Sequence, residues 1–135
     1  MSRSLLDKII DRLDRLPYYN TTARGYEMVL SRIINDCKQI LKIAVKNGDV
    51  YTALEALAIL KALRWNLPLY AIPWLIDFTY TIYRCIVTKD EKRIPDIIKI
   101  YAKTYRFKVK NLTTLVYLIK KNIRIIELNK EVNSR

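Results

Sequence analysis

Apolar residues recur three and four positions apart along almost the whole chain, and glycine interrupts that pattern only at Gly25 and Gly48. Such spacing puts apolar side chains on one side of an α-helix, which calls for amphipathic helices rather than strands. No stretch alternates apolar and polar residues between turn signals, and no repeat of about 20–50 residues recurs. The expected fold class is all-α: a helical bundle of about six helices with an N-terminal helical arm, in one helical domain over residues 1–135.

Leu5, Leu6, Ile9, Ile10, Leu13 and Leu16 form the apolar side of a first helix, with Arg3, Asp7, Lys8, Asp11, Arg12, Asp14 and Arg15 covering the other. Ser4 with Asp7 resembles a capping pair, and Pro17 stops the helix because its ring and missing N–H cannot continue the ladder. Residues 18–25 read as a loop, so 1–25 are arm and loop and 26–135 the bundle. The second helix, over 26–46, puts Val29, Ile33, Cys37, Ile40, Leu41 and Ala44 on one stripe and stops at Asn47-Gly48. Asp49 is placed to cap a third helix through Val50, Leu54, Leu57, Ala58, Leu60, Ala62 and Leu63, closed by Asn66-Leu67-Pro68. Pro73 suits the first turn of a fourth. There Trp74, Leu75, Ile76, Phe78, Tyr80, Ile82, Tyr83, Ile86 and Val87 lie nearly all round the wheel, as expected of a central helix buried on every side. Residues 67–87 are about long enough to span a bilayer, but Asp77, Arg84, Pro68 and Pro73 favour a core helix, so a membrane partner is not expected. Residues 89–93 form a charged turn, Pro95 opens a fifth helix, and Asn111 or Thr113 caps a sixth running towards Glu131.

The chain has no histidine, which removes Ser-His-Asp and Cys-His catalysis, zinc-protease motifs and Cys₂His₂ fingers at once. Gly25 and Gly48 are too far apart to build a phosphate-cradling loop. Cys37 and Cys85 fall in apolar patterns and read as buried free thiols; two cysteines do not make a four-ligand zinc site. Asp77 and Glu55 are the best remaining acids, and a structural pairing, for example Asp77 with Arg84, is the simpler reading. The N-terminus lacks the continuous apolar core of an export signal. The expectation is a protein that is not an enzyme, with no catalytic residue, metal, cofactor or small-molecule substrate.

Of 25 Lys+Arg and 13 Asp+Glu, giving +12, residues 49–88 hold three of each and residues 89–135 hold thirteen bases against five acids. Residues 97–126 contain no acid, yet include Lys99, Lys103, Arg106, Lys108, Lys110, Lys120, Lys121 and Arg124. A solvated face normally mixes both signs. On the fifth helix Lys99, Lys103 and Arg106 form a stripe, joined by Lys110 if the helix persists, beside an apolar face of Ile98, Tyr101, Ala102 and Tyr105. On the sixth, Leu112, Leu115, Ile119, Ile123 and Ile126 face the core, and Tyr117, Lys120, Lys121 and Arg124 lie opposite. A hairpin of the two sets both basic stripes along one groove or ridge. Arg32, Lys42 and Lys46 on the second helix, with Arg24 in the loop before it, extend the cationic set. Such a surface suits the phosphate backbone of a nucleic acid, because neutralising phosphates releases counterions without reading sequence.

Tyrosine occurs ten times against two Phe and two Trp. Tyr51, Tyr80, Tyr83, Tyr101 and Tyr105 read as core or interface packing, whereas Tyr18, Tyr19 and Tyr117 are the candidates for partner contact. The apolar segment 50–87 exceeds what one small bundle readily encloses, which assigns Trp74, Ile76, Phe78 and Ile82 to a subunit interface.

A small, basic, Ile-, Leu- and Tyr-rich helical chain with an N-terminal arm resembles the DNA-wrapping major coat proteins of filamentous archaeal viruses. The resemblance implies a virion component, otherwise cytoplasmic, whose subunits pair with themselves or a related coat subunit around double-stranded DNA. The alternative is a small helical RNA-binding subunit of a ribonucleoprotein complex, and a third class is a membrane-surface protein using its basic C-terminal helices.

Overall fold

The computed structural model describes residues 2–15 and 23–133. It contains six α-helices: α1 (Ser2–Arg15), α2 (Ala23–Asn47), α3 (Val50–Arg64), α4 (Ile72–Val87), α5 (Ile94–Tyr105) and α6 (Val109–Asn133). Single 3-10 turns at Leu69–Ala71 and Glu91–Arg93 lead into α4 and α5. There is no strand among the described residues, and the architecture is an all-α bundle with a short N-terminal helix. None of the described helices is long and apolar enough to cross a membrane.

The centre of the bundle is α3, which packs against α1, α2, α4 and α6. Nine of its fifteen residues are buried, among them Ala53, Ala56, Ala58 and Ala62. This corrects the expectation that α4 is the helix enclosed on all sides. Alanine lets neighbouring backbones approach, so an Ala-rich helix can be surrounded, whereas the long rings of α4 hold its neighbours away and carry hydroxyls that need polar partners. On α4, Ile72, Leu75, Phe78, Thr79, Ile82 and Cys85 face inward, while Asp77, Arg84 and Val87 are exposed. The buried Thr79 hydroxyl donates to the Leu75 carbonyl at 2.8 Å, so it costs no unsatisfied polar group.

Helix ends follow their local chemistry. The Thr52 N–H donates to Asp49 Oδ1 at 3.3 Å, capping α3. Gly48 between α2 and α3 has φ +73°, and a Cβ there would come within 3.1 Å of Lys130 Cε on α6. The left-handed backbone therefore favours glycine at that turn, and a larger residue would also have to displace the Lys130 side chain. With few glycines to use, the chain enters the left-handed region at Asn66, Lys89 and Arg106 instead. Two elements begin earlier than their sequence signals: α2 at Ala23, placing Arg24 in a helix rather than a loop, and α6 at Val109, ahead of Asn111 and Thr113.

The inward stripe of α6 is the expected one, with Leu112, Leu115, Ile119, Ile123 and Ile126 all buried. On α2, Ile33, Cys37, Ile40 and Ala44 are buried, with Val29 and Leu41 packed at the margin. The N-terminal helix lies on the bundle through Ile9 and Leu13, and Arg12 Nη1 donates to Asp36 Oδ2 of α2 at 2.5 Å. Leu16, Pro17, Tyr18 and Tyr19 and the side chains of Leu5 and Leu6 lie outside the described residues. Both cysteines are buried and free.

Candidate nucleic-acid interface

Lys99 and Lys103 stand exposed on the outer side of α5, whose inner side holds Ile94, Ile97 and Ile98. The helix stops after Tyr105 because Arg106 adopts φ 59°, ψ 33°. A left-handed residue turns the chain out of the helical path, and Phe107, 8% exposed, then anchors it to the core. Lys110 consequently does not extend the α5 stripe; it sits in the first turn of α6, and Lys108 in the connection before it. Both are exposed.

The pairing of Lys120 Nζ with Glu91 Oε1 at 2.8 Å marks the register of the hairpin. The approach to α5 lies beside the midpoint of α6, so α5 accompanies only the first half of its partner. Lys103, Arg106, Lys108 and Lys110 gather at the closed end of the hairpin, while Lys121 and Arg124 lie beyond its open end, still exposed. Lys99, Lys103, Arg106, Lys108, Lys110, Lys121 and Arg124 form no ion pair among the described residues; of the eight cations in the acid-free run, Lys120 alone has a carboxylate partner.

On α2, Arg32, Lys42 and Lys46 are exposed; the side chain of Arg24 lies outside the described residues. The C-terminal half of α2 meets the far end of α6, where Asn129 Nδ2 donates to the Val45 carbonyl at 3.3 Å. Lys42 and Lys46 thus accompany Lys130, a neighbour the linear charge count passes over, and not the closed end of the hairpin. Lys110 and Lys130, on one helix, are roughly 30 Å apart at 1.5 Å per residue. The cations therefore form two groups along α6, linked by Lys121 and Arg124.

Phe78 and Ile82 are fully buried in the protein's own core, which overturns their assignment to a subunit interface. Both belong to the main hydrophobic core, where Phe78 meets the ring of Tyr101 on α5 edge-on. Trp74 and Ile76 are half-buried. Ile76 lines an apolar cleft of about 560 Å³ with Ile10, Leu13, Leu69, Ile72 and Pro73, between α1 and the start of α4.

The suggested Asp77–Arg84 pairing is replaced by a polar cluster. Tyr101 Oη donates to Asp77 Oδ2 at 2.5 Å, and Arg84 Nη2 donates to Thr81 Oγ1 at 3.3 Å. Burial first, and the Asp77 bond second, push the Tyr101 phenol above its ordinary value. Glu55 accepts from the Tyr80 hydroxyl. Both acids thus serve to satisfy tyrosines. Burial, reinforced by Asp36, pushes the Cys37 thiol up to about 12, leaving a protonated and unreactive sulfur. No group of three or more Cys, Asp and Glu among the described residues is placed to hold a metal ion.

A second feature escaped the linear reading. Tyr70 meets Trp74 edge-on at 5.5 Å between centroids, Trp74 stacks on Tyr105 at 4.6 Å, and Tyr105 leads inward to Tyr101, which meets the buried Phe78 at 5.2 Å. This ladder runs from surface to core across α4 and α5. The spacing of four between Tyr70 and Trp74 and between Tyr101 and Tyr105 is its local signal, and the Trp74–Tyr105 contact that joins the two pairs is invisible in sequence.

Comparisons with protein families, with curated proteins and with solved structures found no match for this chain.

Proposed function

We propose that the protein is a structural, sequence-nonspecific nucleic-acid-binding protein that coats and packages double-stranded DNA, as a viral major coat protein assembling along the duplex within the virion. The observation that carries this reading is the run of exposed cations along α5, α6 and the turn between them, seven of which have no carboxylate partner among the described residues. Their exposure matters because a structural cation is normally neutralised by a neighbour, whereas these offer their charge to solvent. Lys110 supports the reading further. It lies in the first turn of α6, where the helix dipole already concentrates positive charge, so a bound phosphate relieves a repulsion that the isolated fold carries.

Two groups of cations along α6 suit a long, uniform polyanion better than a compact ligand. Backbone contacts of this kind give register-free binding, which a coat subunit needs at every position of the duplex. The partially exposed Ile76 and the apolar cleft beside it are the surface through which adjacent subunits pack.

The test is a salt titration with long and short duplexes, followed by electron microscopy. With about seven phosphate contacts, log affinity should fall against log salt with a slope near −6, and long duplexes should be covered by regular filaments. Salt-insensitive binding, or protein that stays monomeric on long duplex at high concentration, would remove the reading and favour the RNA-binding subunit. Ile76→Asp is expected to prevent filaments while leaving affinity for a short duplex intact.

A further inference from the structure

A cleft of about 360 Å³ opens between the 67–74 segment and the end of α5, lined by Leu67, Tyr70, Trp74, Tyr105, Arg106 and Phe107 among others. Three properties taken together bear on what it holds, although an exposed tyrosine among aromatic neighbours also occurs at Tyr51. Its walls are aromatic, and Tyr70 keeps 68% of its surface exposed, although a ring of that size on a monomer's surface gains nothing by facing water. Arg106 lies at the junction of this cleft and a smaller one of about 100 Å³ lined by Trp65, Lys108 and Asn111. Lys103, one turn back on α5, and Lys110, at the start of α6, add charge around the same end of the hairpin. Lys89, the other cation in a left-handed turn, lines neither cleft, so a left-handed helix end alone does not account for the arrangement at Arg106.

We propose that this cleft binds an unpaired nucleotide of a single-stranded nucleic acid, its base against the Tyr70–Trp74–Tyr105 ladder and its phosphate on Arg106. A base offers a flat π-face that any aromatic side chain can receive, which makes such contacts tolerant of sequence, and the adjoining cations track the backbone on either side. A paired base cannot enter, because its faces are already stacked on its neighbours in the duplex. The site is therefore distinct from the duplex surface proposed above, although both draw on Arg106 and the lysines at the closed end of the hairpin. In a protein that coats DNA it would hold strand ends or opened positions.

Trp65 and Trp74 are the only tryptophans and each lines one of the two clefts, so intrinsic fluorescence reports on both. The experiment titrates the full-length protein with hexathymidylate and, in parallel, with a short duplex. Wild-type protein should show saturable quenching by the hexamer. Tyr70→Ala, at an exposed position, should weaken hexamer binding roughly ten- to hundredfold and leave duplex affinity within about threefold. Arg106→Gly removes the guanidinium but suits the left-handed backbone, so hexamer affinity should fall while the thermal midpoint holds or rises, which separates a lost contact from a damaged fold. Absence of quenching, or hexamer binding indifferent to Tyr70→Ala, overturns the proposal. So does a loss of duplex affinity in Tyr70→Ala as large as the loss for the hexamer. Saturable, Tyr70-dependent hexamer binding in a protein that ignores duplex DNA supports the cleft and sinks the coat reading, whereas duplex binding without hexamer binding does the reverse.

Discussion

The third helix and the C-terminal hairpin use opposite solutions to the same problem. In α3, alanines let four neighbouring helices close in until nine of its fifteen residues are buried, and the surrounding 49–88 segment carries no net charge. In α5 and α6 one side packs inward, and the other mixes exposed apolar residues such as Ile100 and Tyr117 with cations that have no acid among them from residue 97 to residue 126. The difference shows that stability and charge are separable here. The neutral centre holds the fold together, and the hairpin needs only its inner stripe to stay attached, so its outer side is free to carry a field that a packed helix could not tolerate.

Breaking that division would take a core substitution that spares stability or a surface one that destroys it. The largest effect is expected for Ile59→Ala on α3. It deletes a fully buried side chain and should cost about 2–5 kcal/mol in urea denaturation, whereas Lys103→Gln should change stability by no more than about 0.5 kcal/mol. Next comes the triple replacement of Lys99, Lys103 and Lys110 by glutamine. Duplex affinity should fall and the salt slope should become shallower by about 2.7, with an unchanged circular dichroism spectrum; a matching loss from Lys8, Arg12 and Arg15 on α1 would show that binding is not centred on the hairpin. Asp49→Ala, which removes the cap of the central helix, should lower stability by about 1 kcal/mol, readable as a shift in thermal midpoint.

The smallest effect is absent at neutral pH. Burial pushes the Cys37 thiol in the folded chain up to about 12, above the ordinary thiol value of 9.0 that it has when unfolded. Above that lower value the unfolded state releases its proton first, so stability is complete below about pH 9 and declines as pH rises towards 12. Denaturation midpoints measured across this range should fall less steeply in Cys37→Ala, after allowance for the cavity that substitution leaves.

Periodicity and end signals sufficed for most of this architecture. The stripe from Leu112 to Ile126, the Asp49 cap and the Gly48 break are each set by residues within a turn or two of one another, so they can be read from a linear string. The identity of the central helix was not accessible in this way. Hydrophobicity favours α4, yet the choice depends on how closely backbones approach, which alanines decide and which only the assembled bundle reveals. The same holds for Phe78 and Ile82, whose apolar character is correctly read but which are covered by the chain's own core. The charge of the hairpin was legible because it is a count. The division of cations along α6 was not, since it depends on Lys120 meeting Glu91 and Asn129 meeting Val45, 84 residues away. The aromatic cleft likewise joins Tyr70 and Trp74 to Tyr105 through tertiary packing alone.

The contact of α6 with α2 and α3 has a consequence for how the chain is made. Ile126 closes over Ala44 and Ala53, but it is translated long after them. At ordinary elongation rates the α3 surface waits on the order of 3–12 s between its own synthesis and that of α6. During that interval the side of α3 that Ile126 later covers stands open to solvent. Apolar surface left open in this way is prone to association until the last helix arrives, so the order of synthesis makes α6 the element that ends that exposure.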